Sequence, residues 1–143
     1  MIKRRNLDSR SLVADIGEWL SYDLTAGIAD AFAIAVQNPY DYDVIIDRAL
    51  IYTTTAGGTG SSVGNLDVVA SATATGDDIF DGVDLNATAI YDSLNAADNG
   101  TNGEGKSWVW DEKNGTNDYL TLKILAEDAS SLAGTVYIHI LKT

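Results

Sequence analysis

The stretch from Ala31 to Thr55 constrains the fold most, because its apolar residues recur with a period of two. Side chains on a strand point alternately to opposite faces, so this period predicts strands. Asn38-Pro39 interrupts the alternation, since proline fixes its own φ and favours extended backbone in the residue before it. The stretch therefore predicts a strand, a tight turn and a longer strand that is apolar on both faces and central in a sheet.

Strict alternation also predicts which side chains share a face of these two strands. In the first strand, one face carries Phe32, Ile34 and Val36. In the second, one face carries Val44, Ile46, Leu50 and Tyr52, and the other carries Ile45, Asp47, Ala49 and Ile51.

The rest of the chain repeats this pattern in shorter segments. Strands are predicted near residues 66–70, 107–110, 120–124 and 135–141, and short apolar anchors, among them Ile90 and Leu94, mark residues 79–94. Gly-rich loops at 56–64 and 95–106 and an Asn114-Gly115 hairpin signal separate the strands. About seven or eight short strands with at most one short helix predict an all-β antiparallel sandwich or barrel. The spacing leaves a jelly roll and an immunoglobulin-like sandwich both open.

Length and composition predict one domain without disulfide bonds. The 143 residues include no cysteine, no apolar run long enough for a transmembrane helix and no signal-peptide pattern after Met1. We therefore expect synthesis in a cytoplasm. Residues 1–22 are expected to form a basic arm and a lead-in segment, and residues 23–143 a single β-sandwich domain.

The charge is unevenly distributed along the chain. Lys3, Arg4, Arg5 and Arg10 are four of the nine basic residues, whereas the part from Ser11 onward has 20 acids and 5 bases, a net charge of −15. A body this acidic repels nucleic acid and anionic membranes, so neither is an expected partner. The basic segment predicts either an arm that docks on an acidic neighbour or a frayed terminus.

Two segments suggest catalytic chemistry only superficially. Gly60-Ser61-Ser62-Val63-Gly64 fits the G-x-S-x-G pattern, but a hydrolase elbow needs a preceding strand and a following helix, and here a strand follows. His139 is the single histidine, and by parity it points away from the apolar face of its strand. The sequence shows no recognisable catalytic partner for it. We therefore predict that the chain is not an enzyme and needs no cofactor.

Two further groups are candidates for ligand binding. Trp108 and Trp110 share a strand face beside acidic residues, so they could stack a sugar or belong to the core or an interface. Carboxylates in Gly-rich loops suit Ca²⁺, although the spacing here differs from an EF-hand. The candidate Ca²⁺ ligands are Asp77, Asp78, Asp81 and Asp84. The alternative interpretation is that this cluster is an acidic turn exposed to solvent.

Several segments together resemble the small all-β decoration (cement) proteins of tailed bacteriophage capsids. They are the strand from Phe32 to Val36 with Asn38-Pro39-Tyr40-Asp41 and Val44-Ile45-Ile46-Asp47-Arg48; Ile79-Phe80-Asp81-Gly82-Val83-Asp84-Leu85-Asn86 with Ile90-Tyr91-Asp92; and Gly134-Thr135-Val136-Tyr137-Ile138-His139. The likeness covers residues from about Asp30 to the C-terminus.

The resemblance implies a jelly-roll-like sandwich that forms a homotrimer on the outer capsid surface. Such proteins bind the major capsid protein and stabilise the expanded shell, without catalytic residues. The arm residues Lys3, Arg4, Arg5 and Arg10 are then the expected capsid contact. The alternative function is a glycan-binding or Ca²⁺-dependent surface module of all-β fold.

Overall fold

The computed structural model describes residues 17–58, 60–104 and 107–143, and these contain nine strands and one turn of 3₁₀ helix at Ala96–Asp98. The strands are β1 (Glu18–Asp23), β2 (Phe32–Gln37), β3 (Val44–Thr55), β4 (Val63–Val69), β5 (Phe80–Asp84), β6 (Ile90–Asp92), β7 (Trp108–Trp110), β8 (Tyr119–Leu125) and β9 (Ala133–Lys142).

The strands form two antiparallel sheets that pack as a β-sandwich, which confirms the predicted fold class. One sheet has the order β1-β9-β3-β6, with β7 also paired to β3, and the other has the order β2-β8-β4-β5. The three-residue β7 can be left out and the remaining eight strands counted from 1 to 8 along the chain, so that β8 becomes the seventh and β9 the eighth. Their order is then 1-8-3-6 in one sheet and 2-7-4-5 in the other. This interleaved order is that of a jelly roll.

The core lies between the two sheets and is built mainly from alternate residues of the longest strands. In β8 the buried apolar residues are Leu120, Leu122 and Ile124, and in β9 they are Val136, Ile138 and Ile140; all six are fully buried, as the alternation predicted.

A β-bulge in β3 changes the predicted division of its faces. The pairing of β3 with β9 shifts between Ile46 and Arg48, so that Asp47 is the additional residue. Ile46 and Ala49 are therefore both buried although they differ in parity. Leu50, predicted to share a face with Ile46, lies instead on the outer face of the sheet. The prediction that β3 is central is confirmed, because it pairs with three strands.

The predicted tight turn at Asn38-Pro39 is a connection between the sheets, since β2 and β3 do not pair with each other. Asn38 is fully buried, and its side-chain amide forms hydrogen bonds with backbone groups of this connection and of the chain at the end of β7. Its Nδ2 donates to the carbonyls of Trp110 (3.1 Å) and Asp111 (2.8 Å), and its Oδ1 accepts from the backbone N–H of Tyr40 (2.8 Å).

Three further expectations need correction. Asn114 has a φ of 72°, as a turn residue should, but its loop joins β7 to β8 in the opposite sheet, so the predicted hairpin is wrong. The segment 95–106 was predicted as a surface loop, but its described part, residues 95–104, contains the 3₁₀ turn and the buried Asn99. The boundary expected after residue 22 falls inside β1, which pairs with β9 along its whole length.

Candidate interaction surface

The outer face of the five-stranded sheet exposes several large apolar side chains. Of the six exposed large apolar side chains in the described residues, four belong to this face, and Leu94 lies just beyond the end of its strand β6. We use the term outer apolar face for the outward side chains Trp19 of β1, Leu50 and Tyr52 of β3, Ile90 of β6, Val109 of β7 and Tyr137 of β9. Ile90 and Leu94, predicted as apolar anchors, are 62% and 60% exposed, so that prediction is wrong for both.

An open apolar recess lies near the β1 edge of this face. Trp19, Leu50 and Tyr137 line it, and its volume is about 400 Å³. Large aromatic side chains in such recesses are the residues that contribute most to protein–protein binding. The recess can therefore accept an apolar side chain of a partner.

Two charged side chains on the same sheet face, Arg48 and Asp92, form an ion pair. Arg48 donates from Nε and Nη2 to the two carboxylate oxygens of Asp92, at 3.1 and 2.6 Å. The hydrogen bond from Arg48 lowers the pKa of Asp92, and the same bond raises the pKa of Arg48. Because the two charges compensate, this pair adds no net charge to the face.

His139 also lies on this face, opposite the buried side of β9, as its parity predicted. Its Nδ1 lies 2.6 Å from Oδ1 of Asp47, and its ring lies 5.1 Å from the ring of Trp19 in a tilted arrangement. The imidazole thus contacts a carboxylate and an indole.

Strand β1, which carries Trp19, is held at the sheet edge by a polar cluster. The Tyr40 hydroxyl donates a hydrogen bond to Glu18, and Nζ of Lys142 lies 3.3 Å from the same carboxylate. The bond to Glu18 raises the pKa of Tyr40 to about 12 and lowers the pKa of Glu18. These contacts fix the position of Trp19 before any partner binds.

The structure contradicts the predicted glycan-stacking pair of Trp108 and Trp110. Both side chains face the core: Trp110 is fully buried, and its Nε1–H donates to the carbonyl of Asp118 at 2.8 Å, while Trp108 packs against the core from a half-buried position. Val109 between them is 54% exposed. A fully buried indole offers no face to a sugar, so the two tryptophans form no stacking platform.

The candidate Ca²⁺ ligands are Asp77, Asp78, Asp81 and Asp84, and three of their carboxylates accept hydrogen bonds from protein N–H groups. Asp81 accepts from the backbone N–H of Asn102 and Asp77 from its side-chain amide, which ties the acidic turn to a distant loop, while Asp84 accepts from the N–H of Asn86 within its own turn. Within residues 17–58, 60–104 and 107–143, no three acidic, histidine or cysteine side chains are grouped as metal ligands would be.

A further carboxylate, Asp67 on β4, lies beneath the same acidic turn. It is buried, and a Cβ on Gly76 would lie 1.9 Å from its Oδ2, so glycine is required above it. Burial, the largest cause, together with the charges of Asp78 and Asp77, raises the pKa of Asp67 to about 6. Sequence analysis missed this group, because nothing in the local pattern distinguishes it from the exposed aspartates.

The Gly60–Gly64 segment has no feature of a nucleophile elbow. Ser62 is fully buried, its Oγ has no hydrogen-bond partner in the described residues, and strand β4 rather than a helix follows it. A polar pocket of about 430 Å³ lies nearby, between Gly58, Gly60, Glu127, Asp128 and Ser130. Its carboxylates accept hydrogen bonds from the backbone N–H groups of Ser61 and Ala29, so they hold the surrounding loops together.

The predicted capsid-contact arm, Lys3, Arg4, Arg5 and Arg10, lies outside the described residues. The outer apolar face is therefore the interaction surface that the structure adds to the sequence-based candidates. Its signal in the sequence was the apolar character of both parities of β3, which we had assigned to a central position in the sheet.

The comparisons with known proteins do not identify the chain: no protein-family model, no curated protein and no solved structure matches it. In the described part of the chain, no helical segment has the length and apolarity that a membrane-spanning helix needs. The likeness to capsid decoration proteins therefore stays a prediction from the sequence.

Proposed function

We propose that this chain is a non-enzymatic structural virion protein, a decoration protein that binds the outer surface of a bacteriophage capsid as a homotrimer and stabilises the shell. Its partner is the major capsid protein, and its location is the surface of the virion. It is made in the host cytoplasm, and no cofactor takes part.

The observation that carries this proposal is a small jelly roll with an exposed outer apolar face and an acidic body. Exposed apolar patches that are rimmed by polar groups mark protein–protein interaction sites. The polar groups of the candidate sites described above bond mainly to backbone and neighbouring side chains, which supports a structural role. Several weak contacts for each assembled particle add through avidity, so no single contact needs to be tight.

The first experiment measures binding of the full chain to expanded capsids assembled from the major capsid protein of the same virus. We expect the chain to sediment with the shells at a fixed stoichiometry and to raise the temperature at which they rupture. Absence of the chain from the pelleted shells at a tenfold molar excess over sites would contradict the proposal.

A second experiment tests the contribution of the arm. Deletion of residues 2–10 should reduce shell occupancy at limiting protein concentration, because it removes the arm's basic side chains. A full-length variant with glutamine at positions 3, 4, 5 and 10 is the matched control, since it removes charge but keeps the length. Equal occupancy for the deletion variant, the glutamine variant and the unaltered chain would exclude the arm as a capsid contact.

A further inference from the structure

We infer that the outer apolar face is the surface on which copies of this chain associate, so that the occupant of the face is a second copy. The inference concerns the partner at the interaction surface of the proposed decoration protein. It does not depend on capsid binding, because it is argued from the sheet itself.

The first argument is the distribution of exposed apolar side chains. Trp19, Tyr52, Ile90 and Val109 come from four different strands and are all 41% exposed or more, yet register places them on one side of one sheet. On the outer side of the other sheet, apolar side chains such as Phe32 and Tyr119 are only part-exposed, and none of the largely exposed apolar side chains of the described residues belongs to its strands. Largely exposed apolar residues that gather on one sheet face are typical of a surface that a partner covers.

The second argument is charge. The chain carries a net charge of −12, so two copies repel each other wherever their acidic surfaces meet. On this face Arg48 forms an ion pair with Asp92 at 2.6 Å, and Asp47 bonds to the His139 ring at 2.6 Å. Asp23, exposed at the end of β1 on the same face, accepts a hydrogen bond from Thr135. A second copy that covers the apolar centre of this face therefore meets fewer charges than one that contacts the acidic loops. A strongly basic partner would gain more from the acidic loops than from this face, so the face fits a second copy better.

The third argument is area. Strands lie about 4.8 Å apart and rise about 3.3 Å per residue, so a face four strands wide and about ten residues long covers roughly 600 Å². Two copies in contact would bury about 1,200 Å² in total, which is the lower limit for stable protein–protein interfaces. The recess between Trp19, Leu50 and Tyr137 offers a place for an apolar side chain of the other copy.

Light scattering coupled to size exclusion tests the inference on the full chain, at concentrations from 1 to about 100 μM. The double variant Tyr52→Asp/Ile90→Asp places two carboxylates at cross-strand partners within the face. We expect the unaltered chain to associate and the double variant to be monomeric, with an association constant lower by on the order of 100-fold. Ile28→Asp is the matched control, because Ile28 is 66% exposed but lies in the β1–β2 connection, and it should associate like the unaltered chain.

Circular dichroism of the double variant establishes that the sandwich is intact, and both replaced side chains are exposed, so the fold should tolerate the change. If the double variant is unfolded, Val109→Asp supplies the same test from β7. An unaltered chain that stays monomeric, or a folded face variant that associates normally, would overturn the inference.

The same measurements separate this inference from the proposed function. A monomeric chain that still binds shells would contradict the inference and leave the decoration role standing. A chain that associates through this face but never binds shells would support the inference and contradict the decoration role. A dimeric mass would support the face as the contact and contradict the trimer in the proposed function.

Discussion

At the scale of single residues, Asp67 predicts how stability depends on pH. Its pKa in the folded chain, about 6, lies above its ordinary value of 3.8 because burial disfavours the carboxylate. A group with a raised folded-state pKa contributes stability that is fully present below its unfolded pKa and is lost as pH rises through the folded pKa. Between about pH 4 and 7, Asp67 therefore makes the fold less stable as pH increases.

Asp67→Asn should remove this loss, since the amide stays neutral. At pH 7 we expect the variant to be more stable by about 1–2 kcal/mol, after allowance for screening by water that reaches the carboxylate. Urea unfolding followed by circular dichroism at pH 4.5 and pH 7 measures the difference between variant and unaltered chain. Asp41→Asn, at an exposed aspartate, controls for the change in net charge. A difference that is equal at the two pH values would contradict the raised pKa.

Asn38 and Asp67 mark what a sequence can reveal at this scale. The sequence predicted a turn at Asn38-Pro39, because proline and the residue before it have local conformational preferences. The sequence could not predict the buried hydrogen bonds from Asn38 to Trp110 and Asp111, because these partners lie more than 70 residues away in the chain. Burial of Asp67 likewise depends on Gly76, in the turn between β4 and β5, which lies close over its carboxylate.

At the scale of strands, β7 shows how three residues divide between the core and the surface. Trp110→Ala should destabilise the fold by about 3–5 kcal/mol, because it opens a cavity and leaves the carbonyl of Asp118 without its indole donor. Val109→Ala, one residue earlier, should cost less than about 1 kcal/mol, since Val109 is largely exposed. Urea unfolding at low protein concentration, where copies do not associate, measures both free energies. Similar losses for the two variants would contradict the assigned faces of β7.

Strand periodicity predicted the sandwich because alternation follows directly from backbone geometry. It failed where one inserted residue changed the phase: the bulge at Asp47 moved Leu50 and Tyr52 from the face predicted for them, which they were to share with Val44 and Ile46, to the opposite, outer face. Periodicity also could not assign strands to sheets. Asn114-Gly115 favours a turn whether the next strand pairs with the preceding one or crosses to the other sheet. The apolar character of both parities of β3 hinted at the outer apolar face, but the sequence did not predict it, since Trp19 was assigned to the lead-in segment and Ile90 to the apolar anchors.

At the scale of the whole molecule, the response of association to salt separates two ways in which copies could meet. If the basic residues Lys3, Arg4, Arg5 and Arg10 docked on the acidic body of a neighbour, association would weaken as salt screens the attraction. If copies meet through the outer apolar face, the main electrostatic term is repulsion between two bodies of charge −12. Salt screens this repulsion, so association should become stronger.

Raising NaCl from about 20 to 200 mM shortens the Debye length from roughly 20 to 7 Å, which is less than the size of the molecule. We therefore expect the association constant, measured by sedimentation equilibrium, to rise several-fold over this range. The variant that lacks residues 2–10 should show the same rise or a larger one, because it loses positive charge and repels its copies more. A fall in association with salt that disappears in this deletion variant would place the contact on the arm instead of the sheet.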